Sequence, residues 1–402
     1  MQPLVDGPRS GLTESEVEQS LGFHGGASIS WGVDVLDIET GDLVSHDLEF
    51  VSGYVSWDYR VANSVTGRQE NEASVRRTGQ LEVIGDLFDI APFSKIFRLW
   101  ITMASGGSPH VKWYLGSFVC PVPPMSYDGR LKQWTLDLAD KTHYWAQREI
   151  GDNRTIPFNR HILLFIQEEL GDKFGETEFD FPDIDRYTED DLFIEAEDSY
   201  LDMFNVALEH KGFEPLTATP EGLAKTRDAE DFYQKDIEHV YSTDDESTVV
   251  EGAEFDPVLP NAPNVLKFVA SRGPSLPVEG NGIYTIYNHN VGVASINERG
   301  YEVSKRIEVE ADDQEHLEKI AKRDANRHFM GGGDRVNLRV GLNPRHDDRD
   351  VIGILYPEAG MHDDQVKWAV TSWEVNLPES IGSENDVTMG LTAEKLWVPP
   401  ES

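Results

Sequence analysis

Residues 74–140 place the strongest restriction on the fold of this chain, because apolar and polar residues alternate along them in short segments. In the last segment, Trp134, Leu136 and Leu138 are separated by single Thr and Asp residues. A period of two is typical of β-strands that bury one face and expose the other. The same kind of pattern occurs in segments 74–83, 96–103 and 113–119. The stretch therefore predicts consecutive antiparallel strands, joined by turns such as Asp128-Gly129.

The predicted β-structure extends towards the N-terminus. Residues 29–38 alternate in the same way, and 53–59 form another strand-like segment. Together with 74–140 they predict an antiparallel β-domain over residues 29–150, with about five to seven strands in a barrel or sandwich. Residues 1–28 are rich in Gly, Ser and Glu. We interpret them as an N-terminal arm, either a disordered terminus or a strap onto a neighbouring subunit.

The hydrophobic period changes after residue 150. Ile162, Phe165, Ile166 and Leu170 share one helical face, with Gly171 in position to end the helix. A second helix is predicted from Asp198, as its N-cap, to Lys211-Gly212. Residues 151–255 therefore predict a smaller α+β domain.

Three prolines between 255 and 263 predict an extended linker, because proline does not continue a helix. Strand-like segments resume after it, so residues 256–402 predict a second β-domain. A helix is expected to interrupt this domain at about 312–329, where Leu317, Ile320 and Ala321 lie on one side. Gly331-Gly332-Gly333 would end that helix.

The charge balance argues against a protein that binds nucleic-acid phosphates. Asp and Glu number 73 against 35 Lys and Arg, which gives a formal net charge of −38 spread over the whole length. A surface that binds nucleic-acid phosphates has the opposite composition. We interpret the excess as adaptation to a halophilic environment, where the Debye length falls to about 3 Å and self-repulsion costs little. An acidic wall that DNA slides past without sticking is compatible with this charge.

One cysteine, Cys120, excludes an intrachain disulfide and a CxxC zinc pair. The sequence contains no run of about 18 apolar residues, so it predicts no membrane span. The N-terminus also lacks the basic and apolar regions of a secretory signal. We therefore expect the chain to be made and folded in the cytoplasm.

The order of these elements resembles one family, the baseplate hub or tail-tip hub proteins of tailed viruses. In the first β-domain the resemblance rests on an ordered set: Arg77-Thr78, Asp86, 97–103, Leu115-Gly116-Ser117-Phe118, 121–124, Asp128-Gly129 and 137–140. In the C-terminal part it rests on Asn264-Val265, 312–329, Asn343-Pro344, Asp350-Val351, Thr371-Ser372-Trp373 and 388–392. The resemblance covers residues 29–395.

This resemblance implies an α+β, mainly β fold in which two tube-type antiparallel β-barrel domains flank a smaller α+β domain. It implies a structural virion protein and not an enzyme, and the acidic composition adds the expectation that the virus infects a halophilic archaeon. The protein would form a homotrimeric baseplate hub that joins the tail tube to the tip or fibres and forms the channel for DNA ejection. Its implied partners are the distal tail or tail-tube ring, the C-terminus of the tape-measure protein, and tail fibre or tip proteins. No cofactor is implied, and passing DNA would not be bound specifically. The protein would reside at the tail tip of the virion after assembly in the host cytoplasm.

Two triplets combine imidazole with carboxylates, which are donors for divalent metals: His346-Asp347-Asp348 and His362-Asp363-Asp364. Asp pairs are frequent at this acidity, so ordinary acidic loops are the preferred interpretation and no metal is expected. Gly331-Gly332-Gly333 follows a predicted helix and precedes no Lys-Ser or Lys-Thr pair, which argues against a phosphate loop.

An enzymatic or carbohydrate-binding β-protein of a halophile is the alternative function. Nine tryptophans would suit a surface that binds or degrades polysaccharide. A glycosidase needs two carboxylates about 5–10 Å apart in a cleft. The residues available for comparison are Asp183, Asp185, Glu195, Glu197 and Asp198. No catalytic residue is assigned on this basis.

Overall fold

A computed structural model describes most of the protein: residues 11–21, 28–38, 40–44, 49–58, 77–85, 92–104, 109–121, 127–128, 133–228, 234–243, 249–255, 262–271, 282–311, 314–329, 334–347, 350–378 and 388–397. Several predicted features lie outside these residues. They are most of the N-terminal arm, Asp86, the turn residue Gly129, the linker residues 256–261, Gly331-Gly332-Gly333 and Asp348.

The described residues form many short strands and fewer helices. The N-terminal strands are β1 (Ser28–Asp37), β2 (Glu49–Asp58), β3 (Arg77–Ile84), β4 (Lys95–Ala104), β5 (Val111–Val119), β6 (Tyr127–Asp128) and β7 (Gln133–Asp140). The central strands are β8 (Arg154–Ile156), β9 (Phe179–Asp180), β10 (Leu192–Ile194), β11 (Thr217–Ala218), β12 (Ala224–Lys225), β13 (His239–Ser242) and β14 (Val249–Phe255). The C-terminal strands are β15 (Val265–Ser271), β16 (Ile283–Tyr287), β17 (Ser304–Glu310), β18 (Arg335–Gly341), β19 (Val351–Leu355), β20 (Trp368–Leu377) and β21 (Thr388–Lys395). The helices are α1 (Glu14–Ser20), α2 (Thr142–Ala146), α3 (Ile162–Phe174), α4 (Tyr200–His210), α5 (Ile296–Arg299) and α6 (Gln314–Phe329).

The largest sheet has 13 strands and contains strands from both ends of the chain. Its main path runs β1-β4-β5-β7-β3-β2-β20-β21-β18-β14, with β6 on β7, β19 on β20 and β13 on β19. The two halves meet where β2 pairs antiparallel with β20, and Trp57 lies opposite Trp373 in this pair. One hydrogen-bonded sheet therefore joins the two predicted β-domains.

Burial along the strands follows the alternation seen in the sequence. In β4, Phe97, Leu99 and Ile101 are fully buried, while the residues between them are only partly buried. These side chains share one hydrophobic core with C-terminal residues such as Leu338 and Trp373. Burying a side chain of this size stabilises the fold by about 1.5–3 kcal/mol. The shared core is thus the main attachment between the two β-halves.

Residues 142–225 form a separate hydrophobic cluster around α3 and α4. The first of these helices continues past Gly171 and ends at Gly175, whose left-handed φ of 71° favours glycine. The second has a capping box in which Ser199, and not the predicted Asp198, is the N-cap and Asp202 bonds back to it. The buried residues of both helices belong to this cluster, together with Trp145.

A third cluster is formed by β15, β16, β17 and α6. The three strands make their own sheet, in the order β16-β15-β17, with β15 and β17 parallel. Leu317, Ala321 and Phe329 of α6 pack against Leu266 and Phe268 of the sheet. The strands after the predicted linker are therefore divided, since β18 to β21 pair in the large sheet and β15 to β17 do not.

The prediction of a mainly β, α+β fold is confirmed by these elements. The domain bounds at 28, 150 and 255 and the closure of each β-half into a barrel stay predictions. In the part of the chain that the structure describes, no helix is long and apolar enough to cross a membrane.

Candidate functional site

One side of the large sheet faces away from the main core and is polar over much of its width. Most of its residues alternate with core residues and are partly or fully exposed, but Leu36, Ile96 and Val119 on the same side form a small buried apolar cluster. We call this side the polar face. Ser, Thr, Asn and Gln are common on it, as in Ser30, Thr102, Gln80, Ser56, Asn376, Asn337 and Thr392. The face also carries charges of both signs, among them Asp34, Glu82, Asp137, Glu374, Arg98, Lys112 and Arg339.

Side chains on the polar face hydrogen-bond across neighbouring strands. The pairs are Ser30–Thr102 at 2.6 Å, Ser56–Thr78 at 2.9 Å, Gln80–Asp137 at 2.9 Å, Thr392–Asn337 at 2.9 Å and Arg339–Thr388 at 2.8 Å. Cross-strand pairs of this kind stabilise a sheet and fix the rotamers of both partners. These bonds hold the side chains of the face to one another and leave fewer of their donors for a molecule that passes over it.

A charged and aromatic cluster lies at the β1 end of the polar face. Asp34 accepts hydrogen bonds from Trp100 Nε1 and from Lys112 Nζ, both at 2.8 Å. The same Nζ lies 4.6 Å from the Trp100 ring centroid and 5.0 Å from that of Tyr114. Gly32 makes room for the indole, because a Cβ there would lie 2.4 Å from a ring carbon of Trp100. The charge of Lys112 is therefore compensated by Asp34, and its side chain lies along the sheet over the two aromatic rings.

In the described part of the chain, β1 lies at one edge of the large sheet. Among the described strands, β4 is the partner of β1. The Val35 carbonyl accepts from Val44 N at 2.8 Å, so the backbone groups of Val35 point away from β4. In an antiparallel strand the direction of these groups alternates by residue. The backbone groups of Ile29, Trp31 and Val33 therefore also point away from β4.

The opposite end of the sheet is also an edge. Here β14 pairs with β18, with two irregularities in the register. No other described strand pairs with β14. An unpaired strand edge is a template for a strand of another chain unless it is covered or blunted. The large sheet thus presents two different edges, β1 and β14.

Arg77 joins three parts of the chain beneath the sheet. It is only 2% exposed, and its backbone N–H donates to Asp140 at 2.8 Å. Its guanidinium donates to the carbonyl of Ala218 at 2.6 Å and to Asp347 at 2.9 Å. Asp347 also accepts from Lys225 Nζ at 2.6 Å. Both carboxylate oxygens of Asp347, one of the candidate metal ligands, thereby accept hydrogen bonds from cations of the protein.

His346 is buried in a chain of hydrogen bonds. Its Nδ1 lies 2.7 Å from Asp350 Oδ2 and its Nε2 lies 2.6 Å from the Tyr241 hydroxyl. A carboxylate only accepts, so Nδ1 carries the proton and, in the neutral ring, Nε2 accepts from the phenol. Burial raises the pKa of Tyr241 well above its usual value. Both nitrogens of His346 are thus engaged in hydrogen bonds within the protein.

The pKa values around His346 are shifted by burial and by neighbouring charges. The pKa of His239 is lowered to about 4 by burial and by the nearby His346 and Arg345. Burial opposes the ionisation of Asp350, yet its hydrogen bond and charge interaction with His346 hold its pKa below the usual value. Burial therefore favours the neutral form of His239, whereas Asp350 stays ionised because of its interaction with His346.

The second triplet lies in the loop between β19 and β20. His362 and Asp363 are exposed and border a cavity of about 410 Å³, which is also lined by Phe255, Trp368 and Lys395. Among the described residues, no group of three or more His, Cys, Asp or Glu side chains is placed to hold a metal ion.

Two of the residues compared with a glycosidase, Asp185 and Asp198, have local partners. Asp185 lies 2.9 Å from His161 Nε2, and Asp198 accepts from the backbone of Glu195 at 3.1 Å. The tryptophans do not form a sugar-binding surface. Six are buried, namely Trp57, Trp113, Trp145, Trp368, Trp373 and Trp397, and the other three are partly buried. The tryptophans therefore do not support the alternative function.

Sequence reasoning used Arg77 only as part of a motif and missed its role. A usable signal was present, because Arg77 alternates in phase with Leu81 and Val83 and so occupies a core position of β3. A charged residue at such a position requires a buried partner. Nothing local to the sequence indicated that the partners are Ala218 and Asp347.

No protein-family model and no curated protein matches the sequence. Solved structures with a similar fold include two tail proteins. The tail protein from Neisseria meningitidis MC58 has a TM-score of 0.59 at 10% identity, over 91% of this chain and 96% of that chain. The 43 kDa tail protein of prophage MuSo2 from Shewanella oneidensis has a TM-score of 0.53 at 14% identity, over 90% of this chain and 98% of that chain.

A similar fold also occurs in the Francisella PdpA-VgrG complex in its lidded form. Its TM-score is 0.53 at 10% identity, over 96% of this chain and 56% of that chain. At these identities the similarity establishes a shared fold. For the two tail proteins, the shared fold extends over nearly the full length of both chains.

Proposed function

We propose that this protein is a structural, non-catalytic hub of a viral tail, located at the baseplate or tail tip. The observation that carries the proposal is the fold, which matches two tail proteins over at least 90% of this chain and 96% of theirs. Fold alone does not imply function. The polar face and the two sheet edges supply the further support.

In this proposal the polar face lines the channel through which DNA is ejected. The face is wide, carries small hydrogen-bonded side chains, and holds Lys112 against Trp100 and Asp34. A DNA-binding wall instead presents free Lys and Arg to the phosphates. A wall of paired hydroxyls and mixed charges, in a chain of net charge −38, lets a polyanion pass without adhering.

The ring would close through the two sheet edges. Because β1 and β14 are different edges, pairing one copy's β1 with the next copy's β14 is a head-to-tail contact, which generates a ring when the rotation closes. We propose three copies, each contributing two tube-type β-halves that meet at the pair β2 and β20. Ring closure would cover the backbone groups of Ile29, Trp31 and Val33.

The proposed partners follow from this position. The ring would stack on the distal tail-tube ring on one side and carry tip or fibre proteins on the other, with the C-terminus of the tape-measure protein inside. We propose assembly in the host cytoplasm. The acidic composition supports a halophilic host.

The assembly test measures particle mass by light scattering and particle shape by electron microscopy, at high salt, with and without tail-tube rings. Val33→Pro removes a backbone donor that points away from β4, so it should block the ring and leave the subunit folded. The matched variant Val33→Thr keeps both the donor and the branched shape and should assemble normally. A wild-type protein that stays monomeric beside tail-tube rings, or a Val33→Pro variant that forms the wild-type ring, would contradict the proposal.

A further inference from the structure

The small sheet of β15, β16 and β17 has one face covered by α6 and one face that α6 does not cover. Leu266 and Phe268 point to the helix. By strand alternation, Lys267 points to the opposite side. There it forms a row with its register partners Thr285 and Arg306. We call this side the basic face.

The row contains an unfavourable pair. Lys267 and Arg306 are register partners on adjacent strands, and both are exposed. Like charges directly opposite each other destabilise a sheet. Arg306 bonds to Glu308 at 2.9 Å, but both side chains are about two-thirds exposed, at 66% and 64%. Lys267 makes no ion pair with any described residue. In a chain with twice as many acids as bases, two adjacent cations with one exposed counter-charge point to an anionic partner.

The basic face also exposes apolar side chains on β16. Ile283 is 50% exposed and Tyr287 is 42% exposed. The Tyr287 ring stacks on His289, with centroids 5.7 Å apart and an interplanar angle of 15°. Ile283, Thr285 and Tyr287 are alternate residues of one strand, so they lie about 7 Å apart along it. This spacing matches the repeat of alternate side chains in an extended peptide.

We propose that the basic face binds an extended acidic segment of a partner protein, in which carboxylates alternate with apolar residues. The carboxylates would meet Lys267 and Arg306, and the apolar residues would cover Ile283 and Tyr287. A peptide fits better than nucleic acid, because a long polyanion would also meet the acidic remainder of the chain, whereas a short segment meets only this face. The proposal does not depend on ring formation or on a tail function.

Fluorescence anisotropy of the full-length protein with a labelled peptide of alternating Glu and Leu tests the proposal. Lys267→Glu should weaken binding about tenfold, because it replaces an attraction by a repulsion. Lys267→Ala should weaken it less and should not lower the unfolding temperature, because it removes the unfavourable pair. Lys319→Glu is the matched control, since Lys319 is 72% exposed on α6, which packs on the other face of the same small sheet. That variant should bind like wild type.

Three results would overturn the proposal. The first is no binding of the peptide by wild type at low salt. The second is equal weakening by Lys267→Glu and Lys319→Glu, which would indicate a general charge effect. The third is tighter, Lys267-dependent binding of a single-stranded oligonucleotide or a sulfated oligosaccharide, which would assign the face to another class of ligand. Unfolding curves of every variant exclude loss of folding as the cause.

Discussion

The guanidinium of Arg77 lies 2.9 Å from the carboxylate of Asp347, which follows it by 270 residues in the chain. The two side chains are 2% and 16% exposed. The same carboxylate accepts from Lys225, so one anion serves two cations from different segments. A buried ion pair is weak evidence for net stability, but removing one partner leaves the other charge uncompensated.

Removing the shared anion should therefore be costly. Asp347→Ala removes the carboxylate that Arg77 and Lys225 share and should lower the free energy of unfolding by about 3–5 kcal/mol. Urea unfolding followed by tryptophan fluorescence measures the change. Glu315→Ala is the control, because it breaks an ion pair whose members are 79% and 72% exposed, and it should have little effect. Equal effects of the two substitutions would show that the junction is not electrostatically coupled.

The close approach of Gly32 to Trp100 makes a second prediction. Gly32→Ala places a Cβ 2.4 Å from the indole and should displace Trp100 from Asp34 and Lys112. Overpacking of this kind costs about 1–3 kcal/mol. Gly390→Ala, on the same face, meets nothing within 4 Å and should be neutral or slightly stabilising. Thermal unfolding compares the two, and a Gly32→Ala protein as stable as Gly390→Ala would contradict the close packing.

Acidification should weaken the fold through His239. Its pKa is about 4 in the folded protein and about 6.5 in an unfolded chain. The unfolded state thus binds more protons between these values. The contribution of His239 to the free energy of unfolding is fully present above pH 6.5 and falls progressively towards pH 4. The total loss is about 3 kcal/mol.

Urea unfolding measured across this pH range checks the sign and the window. His239→Gln removes the titrating group and should flatten the slope between pH 4 and 6.5. The pKa of Asp350 is lowered from 3.8, so its contribution is lost only at lower pH and does not overlap this window. An unchanged slope in the His239→Gln variant would assign the pH dependence to other groups.

The net charge of −38 predicts stabilisation by salt. Carboxylates repel one another in the compact state, and added ions screen that repulsion. The thermal midpoint should therefore rise steadily from low to molar potassium chloride. Sorbitol at equal osmolality controls for solvent exclusion and should raise it less. A midpoint that is flat or falls with potassium chloride would argue against a halophilic adaptation.

Much of the local structure was predictable because it depends on local patterns. Alternation located β4, β5 and β7, and a helical period located α3 and α6. Exact ends were less predictable. Helix α3 passes over Gly171 and stops at Gly175, because only the latter glycine takes the left-handed conformation. The partners of the metal candidates His346 and Asp347 were not predictable either. Both side chains hydrogen-bond to residues far away in the sequence, Tyr241 and Arg77.

The sequence by itself determined most of the longer strands and helices, which face of those strands is buried, and that the composition is acidic. A helix expected near residues 228–240 was wrong for the described residues there, since β13 begins at His239. Only the tertiary structure decided that β2 pairs with β20 across more than 300 residues, that β15 to β17 form a separate sheet, and that Arg77 meets Asp347. The physical reason is that burial and backbone propensity act within a few residues. Strand partners and ion pairs are selected by packing among segments whose order in the chain leaves many combinations open.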